Sequence, residues 1–337
     1  MDLSLEQIKQ ITTGAVRITE DSNGFCFYRF TEEQEELYKV TNENFYNRSF
    51  STAGIKLLFK TDSKNLFVKF KAIYSTPRTY FSVDVFVNKT PVGYIDNFSN
   101  VEFETVYPKQ KFELGEFSGK FELGDGEKEV CIHLPWSVQT VIEEISLDDN
   151  SFIEGIKPKK KYMAYGDSIT HGHDALRPSN RYVAKLADSL GAEEYNKGIG
   201  GAMFLDELAA LKDSFVPDYI TVAYGSNDWN HVDTETFKSN CRGFYANLAK
   251  NYPDTKIFAI SPIWRKIYKE PRALGAFEDV EKYIAEVVKD YENIVLIPGF
   301  DLVPHSSEYF ADLTLHPNDE GFSHYYENIY NEIKKYI

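Results

Sequence analysis

The spacing of hydrophobic residues divides the chain into two regions. Between about residues 14 and 148, apolar side chains recur at every second position, as in Leu66, Val68 and Phe70. A period of two is that of a β-strand with one buried face. Glycines between residues 115 and 126 separate such runs, and no convincing helical pattern interrupts them. This region is therefore predicted to be an all-β, jelly-roll-like sandwich.

A short lysine-rich segment at residues 156–162 marks a change of pattern, beyond which apolar runs alternate with helical stripes. The predicted strands are residues 162–165, 193–197, 218–224, 256–261 and 294–298. The helical stripes run from Val183 to Leu190, Phe237 to Leu248, Ile284 to Tyr291 and Phe322 to Ile333. This alternation predicts a three-layer α/β fold with a flavodoxin-like parallel sheet. We expect two domains, residues 1–157 and 158–337.

Composition narrows the classes of partner. The 337 residues carry a formal net charge of −15, which argues against nucleic acid or an anionic membrane as a partner. No apolar run is long enough to cross a bilayer, and the first residues lack a signal-peptide pattern. A cytoplasmic protein is expected, although a trimmed leader would leave the same sequence. The three cysteines are widely spaced and form no zinc-binding pattern. The protein could also associate into homo-oligomers.

Polar residues follow the predicted strands where ligands bind in α/β sheets, at the carboxyl ends. Ser168 follows the first strand, a glycine-rich turn at residues 198–201 the second, Asn227 the third, and His316 precedes the last helix. Each has an ordinary explanation, namely a helix N-cap, a tight turn, an Asx turn and a structural histidine. As a set they describe a nucleophile, a base and oxyanion donors.

With these residues in this order, the second half resembles the SGNH, or GDSL-type, hydrolase superfamily. The matching blocks are Gly166-Asp167-Ser168, the region of Gly201, Gly225-Ser226-Asn227-Asp228 and His316-Pro317-Asn318. The resemblance implies that Ser168 attacks an ester carbonyl and that His316 is the general base. It also implies an oxyanion hole formed by the backbone N–H groups of Ser168 and Gly201 and the side chain of Asn227.

The chain departs from the family pattern at the third catalytic residue. The family commonly places an aspartate three residues before the histidine, where this chain has Leu313. Asp312 lies one residue earlier and reaches the imidazole if the loop bulges by one residue. The open alternatives are Asp301, or a backbone carbonyl that orients His316 in a Ser–His dyad.

Other polar and aromatic residues are weaker candidates. Trp229, His231 and Trp264 are candidates for contact with substrate at the cleft. His171 and His173 are expected at the surface, since no cluster of metal ligands accompanies them. We expect no metal and no cofactor.

A β-sandwich ahead of an SGNH domain resembles acetylesterases of carbohydrate esterase family 2. This resemblance implies removal of O-acetyl or other short acyl groups from carbohydrates, with an acetylated oligosaccharide or another short-chain ester as substrate. Two alternatives remain: a lipase- or thioesterase-type hydrolase acting on a lipid or small-molecule ester, and a carbohydrate-binding protein with an inactive hydrolase domain. The sandwich could also serve only as a packing or dimer surface.

Overall fold

Two antiparallel sheets form the N-terminal half of the protein, up to Gly155. The computed structural model describes residues 1–104 and 106–337. The strands are β1 (Thr12–Thr13), β2 (Arg17–Asp21), β3 (Gly24–Tyr28), β4 (Lys56–Thr61), β5 (Asn65–Tyr74), β6 (Ser82–Val87), β7 (Thr90–Asp96), β8 (Gly115–Glu122), β9 (Lys128–His133), β10 (Val138–Leu147) and β11 (Glu154–Gly155). One sheet has the order β1-β4-β9-β6-β7, with β11 beside β4, and the other has the order β2-β3-β10-β5-β8. The predicted antiparallel β fold of this half is confirmed.

The two sheets share one apolar core. Leu66, Val68 and Phe70 of β5 point into it and are at most 1% exposed. Leu57 and Phe59, on β4 of the opposite sheet, belong to the same cluster. The period of two in the sequence therefore reflects real burial, because each strand turns one face towards the other sheet.

This half also contains three helices, α1 (Leu5–Ile11), α2 (Glu32–Thr41) and α3 (Glu43–Ser49). The sequence analysis missed α2 and α3. The sequence Thr31 to Gln34 forms a capping box at the start of α2. The Thr31 side chain accepts a hydrogen bond from the Gln34 backbone N–H, and the Gln34 side chain accepts one from the Thr31 backbone N–H. Tyr38 of α2 packs in a core shared with the C-terminal half. Helix α2 therefore faces the C-terminal half of the molecule.

A parallel sheet forms the centre of the C-terminal half, from Lys160 onward. Its strands are β12 (Lys160–Gly166), β13 (Ala192–Gly198), β14 (Tyr219–Ala223), β15 (Lys256–Ile260) and β16 (Ile294–Ile297). Their order is β13-β12-β14-β15-β16, and all neighbours are parallel. The five predicted strands are confirmed to within one or two residues.

Helices cover both faces of this sheet. They are α4 (Ser168–His171), α5 (Tyr182–Leu190), α6 (Asp206–Ala210), α7 (Ser226–His231), α8 (Thr234–Asn251), α9 (Phe277–Val288) and α10 (Asp319–Ile333). Phe244 of α8 and Ile284 of α9 belong to one apolar layer, and Leu186 of α5 and Ile329 of α10 to the other. The three-layer α/β prediction is confirmed. Within the described residues, no helix combines the length and the apolar character needed to cross a bilayer.

The buried Arg29 guanidinium joins the two halves. Its side chain is 1% exposed and donates to the backbone oxygens of Ser51 at 2.8 Å and of Asn196 and Gly198 at 2.9 Å each. Burial lowers its pKa to about 9. The last two acceptors lie on β13, close to the glycine-rich turn, so Arg29 holds the N-terminal half against the carboxyl edge of the parallel sheet.

Replacing Arg29 by alanine should lower the free energy of unfolding by about 3 kcal/mol, because several buried carbonyl groups lose their donors. Chemical denaturation followed by circular dichroism measures the change. Lys39→Ala is the control, since Lys39 is 55% exposed and pairs with Glu36 at the surface. Equal stability of both variants would contradict the role given to Arg29.

Candidate active site

Ser168 lies where β12, the first strand of the parallel sheet along the chain, ends. β12 finishes at Gly166, Asp167 caps the next turn by accepting from the Ile169 N–H at 3.0 Å, and Ser168 begins α4. Gly166 is required here, because a Cβ atom would lie 2.1 Å from the Thr170 hydroxyl oxygen. The tight turn leaves Ser168 at the carboxyl edge of the sheet, with 7% of its surface exposed.

Three side chains form a continuous line of hydrogen bonds at this edge. The Ser168 Oγ atom lies 2.9 Å from Nε2 of His316, and Nδ1 of the same ring lies 2.7 Å from Oδ2 of Asp312. The imidazole and the carboxylate are only 14% and 17% exposed. This is the geometry in which a histidine can accept a proton from a serine hydroxyl while a carboxylate fixes its tautomer.

The loop before His316 contains the bulge on which the choice of Asp312 depended. Leu313 has a φ of 60°, in the left-handed region. One Asp312 oxygen accepts from the backbone N–H groups of Thr314, Leu315 and His316, at 2.9, 2.7 and 3.1 Å. The structure thus brings Asp312 to the imidazole. Asp301 is 89% exposed and lies near His305 instead.

The other two predicted loops lie beside Ser168. Gly166 pairs in register with Gly198 of β13 and with Ala223 of β14, so the segments that follow share one edge. Gly201 has a φ of 82°, which favours glycine. The Asn227 side-chain amide donates to Ala202 O at 3.0 Å, which ties α7 to the glycine-rich turn.

Asp167 and Asp228 hold these loops in place. The Asp228 carboxylate accepts from the Phe204 and Gly225 N–H groups at 3.1 Å each. Burial raises the pKa of Asp167 to about 6 and that of Asp228 to about 7. Asp167 lies 3.5 Å from the Asn227 amide, so this carboxylate orients one of the candidate oxyanion donors.

Comparison with known proteins agrees with this arrangement. Residues 164–323 match the GDSL-like Lipase/Acylhydrolase family. Residues 164–323 therefore form a GDSL-like acylhydrolase domain within the second half of the chain. The protein is accordingly an enzyme of the esterase and hydrolase class. No curated protein sequence matches the chain.

Solved structures share the fold of both halves. The salicylyl acyltransferase SsfX3 of a tetracycline biosynthetic pathway has a TM-score of 0.78 and 20% identity, with 96% of this chain and 94% of that chain covered. A family two carbohydrate esterase from Clostridium thermocellum, in complex with cellohexaose, has a TM-score of 0.64 and 14% identity, with 96% and 98% covered. An acetyl xylan esterase from Butyrivibrio proteoclasticus has a TM-score of 0.64 and 14% identity, with 99% and 98% covered. At these identities the likeness establishes the fold.

Two histidines of the GDSL-like domain were wrongly expected at the surface. His171 and His173 are 0% and 4% exposed, because the N-terminal half covers them. His171 Nδ1 accepts from the Gly200 N–H at 3.2 Å, and its Nε2 lies 2.7 Å from the Ser51 hydroxyl. Burial lowers the pKa of both rings well below the ordinary value. Neutral His171 therefore supports the glycine-rich turn from behind.

The two tryptophans predicted to contact substrate lie in packed positions. Trp229 is 0% exposed, in the core on one face of the parallel sheet, and donates to Gly275 O at 3.0 Å. Trp264 is 8% exposed and stacks on His305 at 5.7 Å. Both rings are occupied by packing within the GDSL-like domain. His231 is exposed at the end of α7, where the structure gives it no contact with the site.

Arginines beside the site escaped the sequence analysis. The half-buried Arg48 of α3 donates to Gly200 O, and its guanidinium would lie 3.1 Å from a Cβ atom on Gly201. Arg265 is 6% exposed and makes long hydrogen bonds of 3.4 Å to the backbone and hydroxyl oxygens of Ser226. Such contacts join loops distant in sequence, and no local motif marks them.

A metal ion does not suit the group formed by Asp174, Asp312 and His316, whose ligand atoms lie within 4.8 Å of one another. The Arg78 guanidinium binds both Asp174 oxygens, at 2.8 and 3.1 Å. Backbone N–H groups occupy one Asp312 oxygen, and the two ring nitrogens of His316 already have partners. A cation would have to displace these donors and lie beside a guanidinium charge.

The Asp312 carboxylate should stabilise the fold in a pH-dependent way. Although burial raises its pKa, hydrogen bonds from His316 and the loop lower it well below the ordinary value. Its contribution is present above about pH 4 and is lost as the pH falls through the folded-state pKa. Asp312→Asn should therefore cost about 2 kcal/mol of unfolding free energy at pH 6, and clearly less at pH 2.

Denaturant titrations at the two pH values measure this difference. Asp301→Asn is the matched control, since that carboxylate is 89% exposed. A pH-independent loss in Asp312→Asn would show that the carboxylate charge has no part in holding the loop.

Proposed function

We propose that the protein is a serine esterase that removes acetyl or other short acyl groups from carbohydrates. The hydrogen-bonded line from Ser168 through His316 to Asp312 carries this proposal. It supplies a nucleophile, a base and an orienting carboxylate at the edge where ligands bind in α/β folds. The shared two-part fold with family two carbohydrate esterases supports the substrate class.

The proposed reaction has two stages. The Ser168 oxygen attacks the ester carbonyl carbon while its proton passes to Nε2 of His316. The bond to the leaving alcohol then breaks, and the imidazolium returns the proton to that alcohol. Water attacks the acyl-enzyme by the same route, its proton passing through His316 back to Ser168, and the carboxylic acid is released.

The oxyanion of each tetrahedral intermediate would accept hydrogen bonds from the backbone N–H groups of Ser168 and Gly201 and from the Asn227 amide. One such donor is typically worth about 3 kcal/mol of barrier. To make this contact, the Asn227 amide must give up one of its two acceptors, Ala202 O at 3.0 Å or the Asp167 carboxylate at 3.5 Å. Asp167 and Asp228 keep the loops that carry these donors in position.

His316 is suited to act as a base near neutral pH. Burial alone lowers its pKa, but the hydrogen bond to Asp312 and the charges of Asp174 and Asp312 raise it above the ordinary value. A general base must be neutral to accept a proton, so activity should fall as the pH drops through this pKa.

An acyl-length series on nitrophenyl esters tests the proposed function. We expect the highest kcat/KM with acetate, a sharp decrease beyond about four carbons, and loss of at least about 1,000-fold in Ser168→Ala. A maximum at eight or more carbons would favour a lipase or thioesterase. Undiminished turnover in Ser168→Ala would refute the assigned nucleophile, and an inactive wild-type protein that binds sugars would favour the binding alternative.

Tyr74 is the aromatic residue that we propose for contact with a sugar ring. It ends β5 with 58% of its surface exposed. Tyr74 lies close enough to Arg48 to act on the pKa of its guanidinium, and Arg48 in turn donates to Gly200 O in the glycine-rich turn. An exposed ring in this position can stack on the apolar face of a pyranose.

Tyr74→Ala should raise KM for an acetylated oligosaccharide by about fivefold and leave KM for nitrophenyl acetate unchanged, because one stacking contact is worth about 1 kcal/mol. Initial rates with both substrates measure this difference. Tyr336→Ala, at the far C-terminus and 48% exposed, is the control. Equal changes in KM for both substrates would exclude a role of Tyr74 in sugar binding.

A further inference from the structure

A second carboxylate lies beside the ring nitrogen that Asp312 occupies. Oδ2 of Asp174 is 3.5 Å from Nδ1 of His316, compared with 2.7 Å for Asp312. Asp174 is completely buried and has a φ of 77°, a left-handed conformation that few residues adopt. A buried charge in a strained backbone conformation persists only where surrounding contacts enforce it.

The contacts that enforce it come from the N-terminal half. Arg78 donates through Nε to Oδ1 at 2.8 Å and through Nη2 to Oδ2 at 3.1 Å. The Tyr80 hydroxyl donates to Oδ1 at 3.0 Å, and the Tyr107 hydroxyl donates to the backbone oxygen of Asp174 at 2.6 Å. The indole N–H of Trp136 binds the next carbonyl, that of Ala175, at 2.9 Å. The GDSL-like domain thus supplies the carboxylate, and the other half supplies its donors.

Several charged or titratable groups surround His316. Asp312 lies on its own loop, Asp174 and Asp167 lie on the segment around α4, and Arg78 approaches from the N-terminal half. The ring of His173 is 5.8 Å away and is kept neutral by burial. Arg265, after β15, acts on Asp167 and Asp312. Of these groups, Asp174 and Arg78 form a compensated pair in which one charge favours the imidazolium and the other opposes it.

We propose that Asp174 is a second positioning carboxylate for His316 and that Arg78 controls how much of its charge the imidazole experiences. The inference rests on the proposed role of His316 as general base. At 3.5 Å Asp174 is at the limit of hydrogen bonding, so it acts chiefly as a nearby charge while Asp312 holds the proton. The N-terminal half is consequently part of the catalytic machinery of the ester hydrolase.

Two substitutions should move the pH profile in opposite directions. Asp174→Asn removes the negative charge and leaves Arg78 uncompensated. The acid limb, which is the fall in kcat/KM towards low pH, should therefore move to lower pH by about one unit. Arg78→Gln removes the opposing positive charge, so the limb should move to higher pH by a similar amount. In both variants kcat should fall by about tenfold, since the ring is less well held.

Further variants separate charge from packing. Arg78→Lys keeps the charge and should leave the acid limb near its wild-type position. The double variant Arg78→Gln/Asp174→Asn keeps the summed charge and should do the same. The matched control is Arg177→Gln, because Arg177 also joins the two halves, through Asp96 at 3.3 Å, without contacting His316. It should leave the acid limb in place.

Measurements of kcat/KM across pH 4–9, on variants shown by circular dichroism to be folded, test the proposal. Opposite displacements in Asp174→Asn and Arg78→Gln support the proposal. An unmoved limb, or displacement in the same direction, in either folded variant overturns it. If Ser168→Ala retained full activity, the proposed function itself would fail. Loss of activity in Ser168→Ala with unmoved profiles in the other variants would overturn only the inference.

Discussion

The hydrogen bonds accepted by Asp312 are the interaction on which the rest of the site depends. One oxygen binds three consecutive backbone N–H groups and the other binds the imidazole, so a single side chain fixes both the path of the loop and the orientation of the ring. The left-handed conformation of Leu313 makes this reach possible. Because that conformation is unfavourable for leucine, the loop depends on these hydrogen bonds to hold its shape.

The site is built from both halves of the molecule. Arg29 spans the boundary to reach β13, Arg48 contacts the glycine-rich turn, and Arg78 holds Asp174 beside the imidazole. These guanidinium groups bind main-chain oxygens and a buried carboxylate, where their planar geometry satisfies several acceptors at once. The sandwich thus supports the loops of the GDSL-like domain from one side, while the parallel sheet supports them from the other.

Much of the catalytic half could be predicted from the sequence, because its elements have strong local signals. The strands after which Ser168 and Asn227 lie are short apolar runs, and periodic stripes mark α5, α8, α9 and α10. Asp312 could be identified only conditionally, since the bulge at Leu313 depends on hydrogen bonds that no spacing rule describes. The capping box at Thr31 predicts α2, yet the surrounding alternation concealed it.

The remaining differences arise from contacts between distant segments. The burial of His171 and His173 depends on Ser51 and Trp136, more than thirty residues away along the chain. The two tryptophans expected to stack on substrate pack in the helical layers instead, because aromatic rings stabilise a core as readily as a cleft. Asp174 belongs to no recognisable motif. Its place beside His316 could not be predicted, because it depends on contact with Arg78, which lies 96 residues earlier in the chain.

The pairing of Arg78 with Asp174 has a consequence for the engineering of this architecture. A segment of the sandwich holds one partner of this ion pair and a segment of the hydrolase unit holds the other, beside His316. If either segment of this protein were replaced without its partner, a buried charge would be left uncompensated next to the proposed general base.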